Sequence, residues 1–315
     1  GIPDASAAFR RNGQLLKDYN NNLLDVAAAW NRTSDGAERQ ELARMYVMMT
    51  RHLLDQGFAD GSAQGTLHHL GYSMRNFYIS PVLMRDVLRE AGLSEQVQQA
   101  MEWFSGVGEV KVAPAGPGMD IDAFNTSLMG RLASLLMLED SPYKWAYLKS
   151  LSRWIDNGFK YVDGTRPCFK SDGSIYHHCR SYPAYAVGGL DGAVNSVWML
   201  RGTALAVSED SHRNLRKALL EMRFWCNLRS FPLAMSGRHP DGKGELSPKH
   251  FAMLAEAGTP DGSSPLDTAL ASAFMRLVPD ARAKEKVWAR KFGAAGIVPE
   301  STPQGSRSYG YNCSL

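Results

Sequence analysis

The chain is 315 residues long, enough to bury a sizeable core as one large domain or two ordinary ones. Its 35 Lys+Arg against 32 Asp+Glu leave a net charge of +3, too balanced for nucleic-acid binding by bulk electrostatics. No apolar run approaches the roughly 20 residues of a membrane helix. Gly1-Ile2-Pro3-Asp4 has neither the basic nor the apolar region of an export signal, and without an initiating Met the chain reads as a processed, tagged or excised segment.

Helical periodicity dominates the chain. From Glu38 to Gln56, Leu42, Met45, Tyr46, Met49 and Leu53 share a face, and Gly57 supplies the stop. Ser80-Pro81 predicts the cap and first turn of a helix carrying Val82, Leu83, Val87, Leu88 and Ala91, closed by Gly92. Ser94 is the expected cap of the next, with Val97, Met101 and Phe104 inward. Further stripes run through Phe124, Leu128, Leu132 and Leu135, then Trp145, Leu148, Leu151 and Ile155. Val194, Val197, Trp198 and Leu205 follow, then Leu215, Leu219, Met222 and Cys226. A last pair covers 266–277 and 281–292.

About nine or ten helices on short links predict stacked antiparallel helical hairpins. No repeat of fixed period argues for a regular solenoid. The fold class is therefore all-α, an incomplete α/α toroid over residues 1–300 with loops at one rim forming a cleft. Residues 301–315 change character. Pro303-Gln304-Gly305-Ser306 is a turn, and 308–313 has the texture of an edge strand, the start of a following β-sheet domain.

Chemistry concentrates between Tyr176 and Tyr185, where two imidazoles and three phenols follow the turn Ser171-Asp172-Gly173-Ser174. Each buried ring nitrogen or hydroxyl needs a hydrogen-bond partner, so such density is awkward in a core. Pro183 and Gly188-Gly189 make the segment a loop feeding a helix. An apolar lid or a sugar-stacking surface is the bland alternative to proton transfer. A second pair, His68-His69, leads into Gly71-Tyr72 and Arg75-Asn76-Phe77-Tyr78. Adjacent histidines point apart and no His-x-x-x-His spacing occurs, so no metal site is expected from them. Arg238, between Gly237 and His239-Pro240, suits a fixed guanidinium fork for carboxylate or sulfate, or else an exposed ion pair. Asn125 reads first as the N-cap of the helix carrying Leu128, and second as an amide for a carboxylate ligand. Four cysteines permit three pairings. A Cys168–Cys179 bridge would brace the loop, and four reduced buried thiols are the alternative.

Five segments together resemble the helical catalytic domain of the polysaccharide lyases that include chondroitinases, hyaluronate lyases and xanthan lyases, with broad-specificity chondroitin sulfate ABC lyases the most similar. They are His-His-Leu-Gly-Tyr-Ser-Met-Arg-Asn-Phe-Tyr-Ile-Ser at 68–80, Phe-Asn-Thr at 124–126, Asp-Gly-Ser-Ile-Tyr-His-His at 172–178, Tyr-Pro-Ala-Tyr at 182–185 and Ser-Gly-Arg-His-Pro at 236–240. The resemblance implies that His178, Tyr185 and Arg238 are catalytic and that Asn125 binds the substrate carboxylate. His69, Tyr72, Arg75, Phe77, Tyr78, His177, Tyr182 and His239 are the further candidate substrate contacts. Asn76 and Phe77 stand where related lyases often carry tryptophans, which weakens or shifts the stacking platform. A family glutamate from the β-sheet domain is missing from this chain, so that domain is an expected partner and the site is incomplete here.

The implied reaction is β-elimination on chondroitin or dermatan sulfate, with hyaluronan also admitted. A base removes the uronate C5 proton, the C4–O bond breaks, and hydrogen bonds to the carboxylate stabilise the enolate-like charge. Tyr185, helped by Arg238, takes the proton from glucuronate and passes it to the leaving oxygen. A phenol titrates near 10 and needs a nearby cation to serve as that base. Iduronate presents its C5 hydrogen on the other face, so a second acceptor is required, His68 before His69. No cofactor is demanded, although a divalent cation, Ca2+ or Mg2+, is admitted as an aid on iduronate-containing substrates. Bacterial enzymes of this kind are exported, which implies a periplasmic or secreted location. The competing readings are an α/α-toroid glycoside hydrolase, for which only Asp172 and Asp191 lie near the His/Tyr cluster, and a module that binds acidic glycans without cutting them.

Overall fold

The expected helical periodicity is realised nearly throughout a computed structural model that describes residues 5–63, 67–237, 239, 241–242, 244–282, 284–309 and 312–314. In chain order the first helices are α1 (Ala5–Arg32), α2 (Gly36–Asp55), α3 (Leu67–Leu83), α4 (Arg85–Glu90) and α5 (Ser94–Ser105). Next come α6 (Gly108–Lys111), α7 (Ile121–Thr126), α8 (Leu128–Met137) and α9 (Pro142–Gly158). A minimal hairpin of β1 (Tyr176–His177) and β2 (Arg180–Ser181) precedes α10 (Pro183–Leu200) and α11 (Glu209–Trp225). The remainder is a 3-10 turn at Leu233–Met235, α12 (Pro248–Glu256), α13 (Thr268–Leu277), α14 (Glu285–Ala294), β3 (Arg307–Tyr309) and β4 (Asn312–Ser314).

The chain comprises two compact units, Gly1–Ala113 with Asn125–Leu151, and Pro114–Phe124 with Ser152–Leu315. In the first, α1 packs on α2 and α3, and α3 and α5 pack on α8. Leu23, Met74, Phe77, Tyr78, Val97, Met101 and Phe104 form its core. In the second, α10 packs on α11 and α12, and α13 on α11 and α12. Phe124, Phe159 and Phe169 join there in an aromatic cluster, with ring centroids 4.8 and 5.6 Å apart along the chain of contacts.

Several expected boundaries move. Ser80-Pro81 lies inside the last turn of α3 and starts no helix. Pro81 has no N–H for the Phe77 carbonyl four residues back, and Ser80 Oγ donates to that carbonyl instead, at 3.2 Å. Ser94 is the first residue of α5 and makes no capping bond. Trp145 is exposed although it falls on the periodic stripe, because Leu151 and Ile155 carry the buried face of α9. α1 obeys the helical period through Leu16, Tyr19, Leu23, Ala27 and Trp30, but Asn20-Asn21-Asn22 masks it in the sequence. Asn20 is buried nonetheless, because its amide donates to the Ser73 carbonyl at 2.9 Å. The C-terminal segment is a hairpin rather than a single edge strand, with Arg307 opposite Ser314. No Cys168–Cys179 bridge forms. Cys168 and Cys226 are buried free thiols and Cys179 is exposed.

The closest backbone approach that matters for the site is between α10 and α7 in the second unit. Gly189 and Gly192 face the backbone of Ile121 and Phe124, and a Cβ at Gly192 would overlap the Phe124 carbonyl oxygen. Alanine normally favours a helix over glycine by about 0.8–1.0 kcal/mol. Here overpacking against backbone, typically about 1–3 kcal/mol, outweighs it. We expect Gly192→Ala to lower the denaturant midpoint at unchanged slope; a variant as stable as the parent would show that α7 can retreat.

A second prediction concerns acid stability. Burial pushes His212, on α11, down to about 4 from its ordinary 6.5, with Asp267 opposing the shift. Between those values the unfolded chain binds a proton that the folded chain refuses, so stability falls as pH drops from 6.5 toward 4. The loss is about 2–3 kcal/mol at about 1.4 kcal/mol per pKa unit. Denaturant midpoints measured across that window should flatten in His212→Phe, and an unchanged slope would exclude His212 as the cause.

Candidate active site

The site begins with the turn between β1 and β2. Tyr176 pairs with Ser181 and His177 with Arg180, leaving His178 and Cys179 as the two turn residues. Both have positive φ, 49° and 62°, as a two-residue turn that follows the right-handed strand twist requires. Asn-Gly or Asp-Gly would meet that demand with little strain. Using His and Cys costs on the order of 1–2 kcal/mol per residue, and strain of this kind clusters at functional positions. The approach to the turn is braced from behind. Lys170 Nζ donates to the carbonyls of Val162, Gly164 and Arg166 at 2.6–2.9 Å, and Asp172 accepts from the Ser174 backbone N–H at 2.8 Å.

β2 runs directly into α10, whose first residue is Pro183, so Tyr185 sits in the opening turn. Tyr185, Gly189 and Gly192 occupy one face at i, i+4 and i+7. The glycine approach therefore lays α7 beside Tyr185, whose hydroxyl donates to Asp122 Oδ2 at 3.0 Å. The ring of His177 stacks on that of Tyr185, with centroids 4.1 Å apart and planes 14° from parallel. His177 is 4% exposed, its Nδ1 lies 3.1 Å from Asp120 Oδ1 and its Nε2 3.9 Å from Asp122 Oδ2. Behind Tyr185, the Tyr182 hydroxyl shares a 2.6 Å hydrogen bond with His239 Nδ1.

Candidates from 172–185 thus come together in the second unit, with altered parts. His178 is exposed and meets Tyr185 edge-on at 5.8 Å between ring centroids, whereas the ring stacked on Tyr185 is that of His177. His177 and Tyr182 are buried and back the site rather than line it. Arg238 lies outside the described residues. Asp120 and Asp122 were missed, although Asp-Ile-Asp directly precedes Ala-Phe-Asn-Thr and could have been read as a helix-opening carboxylate pair. The two acids proposed for a hydrolase are committed elsewhere. Asp172 closes its own turn, and Asp191 is held well below the usual carboxylate range by hydrogen bonds from His250 and Lys249.

The first unit holds the other candidates. Asn125 lies within α7 and caps nothing, because α8 begins after Ser127. Its Oδ1 accepts from Arg75, and its Nδ2 donates to the Tyr72 hydroxyl at 3.4 Å. Arg75 also lies over the Tyr72 ring at 5.4 Å, so Tyr72, Arg75 and Asn125 form one polar cluster. A Cβ at Gly71 would stand 2.5 Å from the Thr126 carbonyl oxygen, so glycine there permits the approach. His69 is exposed, and the side chain of His68 lies outside the described residues. Phe77 and Tyr78 are each 1% exposed in the core, which takes them off any ligand-facing surface.

The all-α frame thus gathers a buried imidazole and two partly buried carboxylates around one phenol. The chain belongs to the lyase catalytic-domain family, whose model, described as "Lyase, catalytic", matches residues 2–284. It is 45% identical over 96% of its length to a chondroitin sulfate ABC exolyase of Bacteroides thetaiotaomicron. It is 33% identical over 94% and 92% of its length to a chondroitin sulfate ABC exolyase and an endolyase of Proteus vulgaris. The chain spans 31%, 29% and 28% of those relatives. Two structures of a Streptomyces coelicolor A3 chondroitin AC lyase share the fold at 14% identity, each over 92% of this chain and 42% of theirs. One is a tyrosine-to-alanine mutant with TM-score 0.59, the other a complex with chondroitin sulphate with TM-score 0.55.

Proposed function

We propose that the whole protein is a glycosaminoglycan lyase that cleaves chondroitin and dermatan sulfate by β-elimination at uronic acid, with hyaluronan admitted as a further substrate. The observation that carries this reading is Tyr185, whose hydroxyl is held by Asp122 and whose ring is stacked on His177, in a member of a catalytic lyase family. The ionised phenol takes the glucuronate C5 proton. The C5–H electrons form the C4–C5 double bond as the C4–O bond breaks, and the same proton passes to the leaving oxygen. The bond to Asp122 aims the hydroxyl, but a carboxylate beside a phenolate is a like-charge pair that needs a compensating cation. Arg238 is our candidate for it. Asn125 and His178 are our candidates for the uronate carboxylate, where donors offset the growing charge.

A C-terminal β-sheet domain of the same protein completes the site in this reading, and the enzyme is exported. Tyr185→Phe in the whole protein keeps the stacked ring and removes the proton carrier. We expect turnover to fall about 10²–10⁴-fold, the usual contribution of one acid–base group, with glycan binding retained. Formation of unsaturated uronate, read by its ultraviolet absorbance, is the assay. Retention of more than about a tenth of parental turnover, far above that range, removes Tyr185 from the role, and saturated products would identify a hydrolase.

The two uronate epimers supply a sharper test. If His68 is the acceptor on the opposite face, His68→Ala impairs cleavage at iduronate by about 10²-fold or more and spares glucuronate. Paired assays on chondroitin and dermatan read the difference. Equal loss on both polymers makes His68 a binding or structural residue, and a dermatan-selective loss in His69→Ala moves the role one position along.

A further inference from the structure

We propose that Asp120, Asp122 and His177 form a divalent-cation site beside Tyr185, suited to Mn2+ or Zn2+. One carboxylate oxygen from each acid and one imidazole nitrogen lie within 4.8 Å of one another. Ligands bound at about 2.0–2.2 Å stand up to about 4.4 Å apart, so a slight closure brings the three donors onto one ion. All three sit on braced backbone, since Asp120 and Asp122 flank the start of α7 and His177 ends β1.

His177 supplies the independent reason. It is 4% exposed, both of its ring nitrogens are buried, and among the described residues neither has a directed hydrogen-bond partner. A buried polar atom left this way costs about 1–3 kcal/mol. An imidazolium donating to both acids would remove that cost, yet neither N–H direction meets a carboxylate despite the short 3.1 Å approach of Nδ1 to Asp120. A cation taking one ring nitrogen needs a lone pair there, not an N–H. It leaves the other nitrogen to donate to a nearby acid, the common outer-shell arrangement of metal-bound histidine.

The donor set selects the ion. Ca2+ takes six to eight oxygen ligands, whereas an imidazole with two carboxylates suits a first-row divalent ion. This differs from the Ca2+ or Mg2+ admitted from the sequence, and the His spacing there pointed to no site at all. Only one histidine is used, and its acidic partners come from 55 and 57 positions earlier in the chain. The site stands on these side chains and is independent of the polysaccharide reading.

The test is titration calorimetry of the whole protein, stripped by a chelator, with Mn2+, Zn2+ and Ca2+ in separate runs. His177→Phe keeps a ring on Tyr185 and removes both nitrogens, and Asp120→Asn keeps size and removes charge. We expect the parent to bind one ion more than either variant, or to bind it at least about 10-fold more tightly, since even outer-shell changes cost 10–100-fold. Circular dichroism shows which variants are folded, and Asp120→Asn decides the matter if His177→Phe is not. Equal uptake by parent and folded variant, or uptake of Ca2+ alone, overturns the assignment.

Discussion

The arrangement of the second unit depends on the backbone contact between α10 and α7. Gly189 and Gly192 remove the side chains that would hold the two helices at an ordinary interaxial distance. Tyr185 lies one turn before Gly189 on the same face, so close approach of the backbones is what brings its hydroxyl to Asp122. The same contact seats Phe124 among Phe159 and Phe169, so the apolar core and the polar site share one constraint. Glycine at these points is a packing requirement with a chemical consequence.

The hairpin turn is the second device. Two left-handed residues in succession carry His178 to the surface while His177, its neighbour, turns inward under Tyr185. The two imidazoles stay in ring contact, with centroids 3.9 Å apart, so they do not point apart as the sequence predicts, yet their environments differ. One is exposed, and one is buried between a phenol and two carboxylates. The strain of the turn is supported by Lys170, whose three carbonyl partners fix the preceding loop. Its own ammonium is shifted down by that burial, and it gains a partner in the face of Tyr176.

Electrostatically the site sets Asp122 against the Tyr185 hydroxyl, and Asp120 and Asp122 lie beside the His177 imidazole. The proton abstraction proposed for Tyr185 asks for a cation nearby, and an arginine fork and a bound metal ion are two chemically distinct ways to supply one. The polar cluster in the first unit is different in kind. Arg75, Tyr72 and Asn125 bind one another through charge-assisted and aromatic contacts, leaving a preorganised set of donors rather than a titrating group.

Much of this was legible in the residues themselves. Helical periodicity identified the all-α class, because burial of a stripe at 3.6-residue spacing is a local pattern that survives without knowledge of partners. The turn at Asp172-Gly173 and the density of imidazole and phenol up to Tyr185 were equally readable, since each follows from a few neighbouring side chains. Pro183 and Gly188-Gly189 read as loop, whereas they lie in α10, where proline fits the first turn and Gly189 packs on α7. Other features required the folded chain. Ser80-Pro81 reads as a helix start until Ser80 is seen replacing the missing N–H, and Asn20 reads as a surface residue until Ser73 is beside it. Asn125 reads as a cap until Arg75 reaches it. Above all, Asp120 and Asp122 carry no local sign of partnership with His177 and Tyr185. That relation spans more than fifty residues and exists only because two glycines let one helix lie against another. The amino-acid sequence by itself determined which chemistries were possible, through the side chains it contains. The tertiary structure decided which of them meet, because hydrogen bonds and metal coordination act over about 2–3 Å and distance along the chain does not predict distance in space.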